Sequence, residues 1–187
     1  AYARSKELAF SSTPYAEEEV DFLLEECCVP FLKIASMELD HLDFLSYIGR
    51  KKVPLVLSTG MGTMEEIRRA VQILERAGTE QMTLLHCVSI YPTQVETLNL
   101  RNILGLRKEF PQYPIGFSDH TEGDAAAIAA VALGAALVEK HLTLDRTKVG
   151  MDNGMATEPE PFRQMVASCR MVQEGLGIEE RIVYPEE

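Results

Sequence analysis

From residue 7 to residue 177 the sequence alternates between short apolar runs and stretches with helical periodicity. The apolar runs are ELAFSST (7–13), PFLKIAS (30–36), PLVLSTG (54–60), MTLLHCVS (82–89), PIGFSDH (114–120) and ALVEKHLT (136–143). Between them lie AEEEVDFLLEEC (16–27), HLDFLSYIG (41–49), TMEEIRRAVQILERAG (63–78), NLRNILGLRKEF (99–110), DAAAIAAVALGA (124–135) and EPFRQMVASCRMVQEGLG (160–177). The 63–78 stretch opens on a capping-box pattern, Thr63 to Glu66, and closes on Gly78. Strand and helix in strict alternation mean parallel strands joined by helical crossovers. Continuously apolar strands mean a sheet covered by those helices.

A doubly wound sheet normally carries a glycine-rich phosphate loop after its first strand, and SSTPYAEEE (11–19) has none. The strands share a polar C-terminal tip instead: Thr13, Ser36, Ser58, Ser89, Ser118 with His120, then Glu139 with His141. Polar groups at the C-terminal ends of successive strands are how a (β/α)8 barrel assembles its site. The expectation is therefore a partial (β/α)8 barrel of about six βα units, one domain over 1–187, with the first two units outside this chain. AYARSKE (1–7) reads as the tail of an earlier helix, and residue 1 is not Met.

The charge balance narrows the partners. The chain carries 18 Lys and Arg against 29 Asp and Glu, a net −11, which argues against a groove that tracks nucleic-acid phosphates. No apolar run has the roughly 18 residues of a membrane span, and the N-terminus has no signal-peptide layout. Cys27, Cys28, Cys87 and Cys169 show neither zinc-knuckle nor disulfide-framework spacing. A cytoplasmic protein with reduced thiols is expected.

Two strand tips end on a histidine beside a carboxylate: SDH (118–120) and EKH (139–141). One such histidine is more often a hydrogen-bonded structural residue; two at neighbouring tips can share a divalent metal. His86, inside LLHC, reads as structural, and His41 as a surface residue opening a helix. Lys33 lies in an otherwise apolar strand, so its charge needs an anionic partner. With the hydroxyls of Thr13, Ser36, Ser58, Ser89 and Ser118 it forms a candidate phosphate cradle, although each hydroxyl alone could be a strand-end cap. Glu38, two residues beyond Ser36 and so on the same side of an extended strand end, is a candidate general acid or base. Asp152 lies in a Gly-rich loop after the last strand, either a substrate contact or a turn residue.

These segments together resemble the sialic acid synthase (NeuB) family. KIAS-x-E, LSTGM, LLHC-x-S-x-YP, GFSDHT, ALGA-x-x-x-EKH and G-x-D followed by EP stand here in the family's order, from about Phe10 to Gly177. The resemblance implies a (β/α)8 barrel followed by an antifreeze-like domain that this chain does not include. It implies a homodimer when full length, in which that domain reaches a partner's site. It implies condensation of phosphoenolpyruvate with an N-acetylated hexose, and catalytic Mn²⁺ or Mg²⁺ on His120 and His141. Lys33, Thr13, Ser36, Ser58, Ser89 and Ser118 would hold phosphoenolpyruvate, Tyr91 and Asp152 the sugar, and Glu38 and Glu139 would be the catalytic carboxylates. Met37 stands where the family commonly has Gly, and GMDN (150–153) where GPDH is frequent. The sugar is thus left open among N-acetylmannosamine, its 6-phosphate and a diacetamido hexose. Another metal-dependent barrel aldolase or synthase, or a non-catalytic sugar- or anion-binding barrel, are the alternatives.

Overall fold

The structure, a computed structural model, describes residues 2–187. Its sheet has five parallel strands, β1 (Leu32–Ile34), β2 (Leu55–Ser58), β3 (Met82–Cys87), β4 (Ile115–Asp119) and β5 (Val138–Lys140), adjacent in chain order. The helices are α1 (Tyr2–Ser5), α2 (Glu17–Glu25), α3 (Leu42–Arg50), α4 (Met64–Ala77), α5 (Asn102–Glu109), α6 (Ala125–Ala132) and α7 (Pro159–Gly175). Each neighbouring strand pair is bridged by one of α3 to α6. Strands that always step the same way, joined by right-handed crossovers, put every crossover helix on one face. The result is an open parallel α/β arc with an inner face free of crossover helices.

Strand periodicity sorts the residues. Leu32 and Ile34, Leu55 and Leu57, Met82 and Leu84, and Ile115 and Phe117 join Phe44, Ile48, Ile67, Val71, Leu74 and Ile103 in one core between sheet and helices. The alternate positions, Lys33, Ser58, Cys87, Ser118 and Glu139, face the other way. α4 is bounded as its sequence predicts: Thr63 N–H donates to Glu66 (2.7 Å), Glu66 N–H donates to Thr63 Oγ1 (3.3 Å), and Gly78 closes the helix at φ 117°.

Five strands rather than six is a correction, and Pro14 supplies its reason. The 7–13 segment runs beside β1, where Lys33 N–H donates to Ser12 O at 3.3 Å. That single rung sets Thr13 opposite Lys33, and the next rung would need the N–H of residue 14. Residue 14 is proline and has none. On the other side of the rung, Ser11 Oγ donates to Phe31 O at 2.6 Å, occupying an acceptor that a ladder would use. Expected strand 30–36 is also cut short, because Ser36–Glu38 forms a 3₁₀ turn.

β4 and β5 approach closely at Gly116. A Cβ built there would lie 2.6 Å from Leu137 O and 2.6 Å from Leu85 Cδ2. The first obstacle is backbone, held by the bond from Phe117 N–H to Leu137 O at 2.8 Å. Gly116→Ala should therefore cost about 1–3 kcal/mol or more, read as a lower urea midpoint at unchanged slope.

Candidate active site

The parallel register aligns Cys87 with Ser118 and Ser118 with Glu139, so three adjacent strands present these side chains side by side on the inner face. Lys33 reaches toward them from β1. Its Nζ donates to Ser58 Oγ (2.7 Å) and to Ile34 O (3.2 Å), and lies 3.7 Å from Glu139 Oε2. Burial pulls the Lys33 pKa down, while the Glu139 carboxylate pulls the other way and does not fully offset it. Ser118 Oγ donates to Glu139 Oε1 at 2.6 Å and also lies 3.4 Å from His120 Nε2. The expectation that Lys33 needs an anion beside it thus has a concrete partner within the chain.

His120 and His141 follow the last residues of β4 and β5 and stand on the same face as Ser118 and Glu139, two residues before each. Their ring centroids are 5.3 Å apart. His120 Nδ1 lies 2.9 Å from Val88 O, and a carbonyl can only accept, so Nδ1 carries the hydrogen. Ser118 has a single hydroxyl hydrogen, and its shorter contact, to Glu139, claims it. Burial works to lower the His120 pKa, but Cys87 and the Val88 carbonyl outweigh it and raise it, so the Nε2 lone pair is free in the neutral ring alone. Burial lowers the His141 pKa, with neighbouring His120 adding to the effect against Asp152 and Glu139.

Tyr91 covers the pair, its ring centroid 4.2 Å from that of His120 and 5.8 Å, edge-on, from that of His141. Asp152 Oδ2 lies 3.9 Å from His141 Nδ1. Ser36 Oγ accepts from Gly60 N–H at 2.9 Å, and Ser89 Oγ lies 3.9 Å from Cys87 Sγ. Among the described residues, no set of three or more His, Cys, Asp and Glu closes around one point as a metal cage. Two imidazoles, each able to bind through a nitrogen once neutral, suit an open site in which water or substrate oxygens complete a divalent ion's coordination.

Glu38 lies outside the strand. The 3₁₀ turn breaks the two-residue alternation, so counting in twos from Ser36 no longer fixes its side. Its carboxylate is buried and lies 2.9 Å from His41 Nδ1, and its hydrogen bonds reach none of the inner-face groups above. Thr13 is partly buried beside Lys33. The histidine–carboxylate neighbours of the sequence also separate. Glu139 turns inward, whereas Asp119, adjacent to His120, necessarily turns to the helix face and pairs with Lys140 at 2.8 Å.

Two contributors escaped the sequence reading. Cys87 is buried within 3.7 Å of Ser36 Oγ and 4.0 Å of His120 Nδ1. Burial raises its pKa, but contacts with His120, Ser36 and Ser89 outweigh that and lower it. Its place on alternate positions with Leu85 and Ser89 was the available signal. Gly60 is the second, since a Cβ there would sit 2.5 Å from Ser89 Oγ and 2.9 Å from Ser36 Oγ. His86 is structural, as read: buried, with Nε2–H donating to Leu98 O at 2.8 Å and its ring stacked on Phe117.

A model of the NeuB family matches residues 1–181. Human N-acetylneuraminate-9-phosphate synthase is 37% identical over 98% of this chain and 51% of its own length. The N,N'-diacetyllegionaminic acid synthase of Campylobacter jejuni is 37% identical over 94% of the chain and 53% of its own length. The crystal structure of N-acetylneuraminic acid synthetase from Leptospira borgpetersenii, in complex with citrate, superposes with a TM-score of 0.91 at 32% identity, covering 98% of this chain and 64% of that one. The chain spans about half the length of the curated relatives it matches. No helix among the described residues is long and apolar enough to cross a membrane.

His86 makes stability depend on pH. Burial lowers its pKa in the folded state, partly countered by the Leu98 carbonyl. Below the unfolded value of about 6.5 the unfolded chain takes up a proton that the folded chain resists. Stability should hold above that pH and fall as pH drops from about 6.5 toward the folded pKa. Urea denaturation from pH 7.5 to 5 should show a shallower fall for His86→Gln than for the wild type, the other histidines being common to both.

Proposed function

Because the chain belongs to the NeuB family, we propose that it carries part of the active site of a nonulosonate synthase, which condenses phosphoenolpyruvate with an N-acetylated hexose and releases phosphate. The observation that carries this reading is one continuous line of contacts on the inner face: Ser58, Lys33, Glu139, Ser118, His120 and His141. It sets a cation and hydroxyls for an anionic substrate next to two lone-pair donors. In the same reading the five-stranded arc is part of a (β/α)8 barrel, and the whole protein works as a homodimer.

Lys33, with Ser58 and the hydroxyls of Thr13, Ser36, Ser89 and Ser118, holds the phosphate and carboxylate of phosphoenolpyruvate. An arriving anion replaces Glu139 as the partner of Lys33 and leaves that carboxylate free to accept a proton. Mn²⁺ or Mg²⁺, held by His120 and His141, supplies Lewis-acid polarisation of the sugar aldehyde. Tyr91 and Asp152 line the side from which the sugar enters. The enol carbon of phosphoenolpyruvate bonds to the aldehyde carbon, water adds at C2, and phosphate leaves. Glu38, buried two residues beyond Ser36 and paired with His41, shares the proton transfers with Glu139.

The test is phosphate release by the full-length protein with Mn²⁺. Release should require both phosphoenolpyruvate and an N-acetylated hexose; release with phosphoenolpyruvate alone, or none with any such sugar, overturns the reading. Lys33→Ala should raise KM for phosphoenolpyruvate about ten- to a hundredfold, the worth of a charge-assisted contact, with far less effect on the sugar. Glu38→Gln should instead lower kcat with little change in that KM.

A further inference from the structure

On the helix side of the last β4–β5 rung sits an ion pair that the proposed reaction does not use. Asp119 and Lys140 are register partners, their side chains 0% and 2% exposed, with Nζ 2.8 Å from Oδ2. The net around them is closed. Asp119 Oδ1 accepts from Thr121 N–H (2.9 Å) and Thr121 Oγ1–H (2.7 Å), and Lys140 Nζ also donates to Thr121 O (2.8 Å). A buried pair of this kind recovers its desolvation cost at best, and a well-packed apolar pair is commonly as stable or more so. Stability is therefore a weak reason for two ions here.

What the pair does geometrically is specific. Asp119 and Thr121 flank His120, and both are tied to the residue that precedes His141. The peptide between Thr121 and His120 is held at its N–H by Asp119, while Thr93 N–H holds His120 O at 2.9 Å. His141 O is held in turn by Thr157 N–H at 2.9 Å. The main chain on either side of His120 can thus neither rotate nor slide along β5 without breaking a buried charge contact. Strand alternation then delivers both imidazoles to the opposite face. We infer that Asp119 and Lys140 are positioning residues, a cross-strand tie behind the sheet that sets the spacing of His120 and His141 in front of it. This rests on the reading of those imidazoles as a metal pair only for its metal-binding consequence; the spacing itself can be measured separately.

The experiment uses the full-length protein with both ions replaced by apolar side chains, Asp119→Leu with Lys140→Met. Its melting temperature should fall, because Thr121 N–H, Oγ1–H and O lose their buried partners, so the readings that follow are taken well below that temperature. Its Kd for Mn²⁺, from the free-ion signal in electron paramagnetic resonance, should rise about ten- to a hundredfold, as for other lost supports of metal ligands. In metal-free protein the nuclear Overhauser contact between the His120 and His141 rings should weaken. Lys140→Arg, which keeps the charge, should recover both signals. A double variant with wild-type Mn²⁺ affinity and an unchanged inter-ring contact overturns the inference. If Mn²⁺ affinity is indifferent to His120→Ala and His141→Ala, the metal reading fails, and the inter-ring contact alone decides the positioning claim. Should the apolar pair not fold, Asp119→Asn with Lys140→Gln carries the same comparison.

Discussion

Every strand in this sheet has to satisfy two unlike surroundings at once, and the pleat lets it do so because consecutive side chains leave on opposite faces. Leu32, Leu57, Leu84 and Phe117 fill the space under the helices, and Lys33, Ser58, Cys87 and Ser118 stand on the inner face, with no segment dedicated to either task. Parallel register turns this local alternation into a site. Once Cys87, Ser118 and Glu139 are neighbours across the rungs, a hydroxyl, a thiol and a carboxylate meet without a single loop having to place them. A slip of one residue anywhere would bury the polar set under the helices and expose the leucines.

The fold was largely legible because both periodicities are strong. Every alternating segment but 7–13 appears in the structure, with the strands expected at 30–36 and 136–143 shortened to three residues each, and Thr63, Glu66 and Gly78 delimit α4 through the contacts their spacing implies. The sixth strand was not legible from apolarity, since ELAFSST is as apolar as its neighbours; the missing N–H of Pro14 decided the matter. The side on which Glu38 stands was not legible for a related reason. Counting in twos holds only while the chain stays extended, and it turns at Ser36.

The site was legible as a list of residues and much less so as a set of partners. His120 with Asp119, and Glu139 with His141, look like equivalent pairs when read along the chain. In the fold one carboxylate is adjacent to its histidine and therefore points away from it, while the other is two residues distant and shares its face. The two lysines part in the same manner. Lys33 stands at the open inner face beside a partly exposed carboxylate, at a distance longer than a hydrogen bond. Lys140 is sealed against Asp119 at 2.8 Å, with neither side chain open to solvent.

Pro14 has a further consequence, one of association. A foreign strand can add to a sheet edge only where an uninterrupted row of donors and acceptors awaits it. Beside β1, Phe31 O accepts the Ser11 hydroxyl and Lys33 N–H is held by Ser12 O, whereas the hydrogen missing from Pro14 leaves Lys33 O without its ladder donor. One backbone rung remains there, and the chain's own Ser12 already occupies it. Pro14 thus leaves the 7–13 segment held on β1 by one backbone rung and one hydroxyl, the two contacts that any strand pairing with β1 on this side would have to displace.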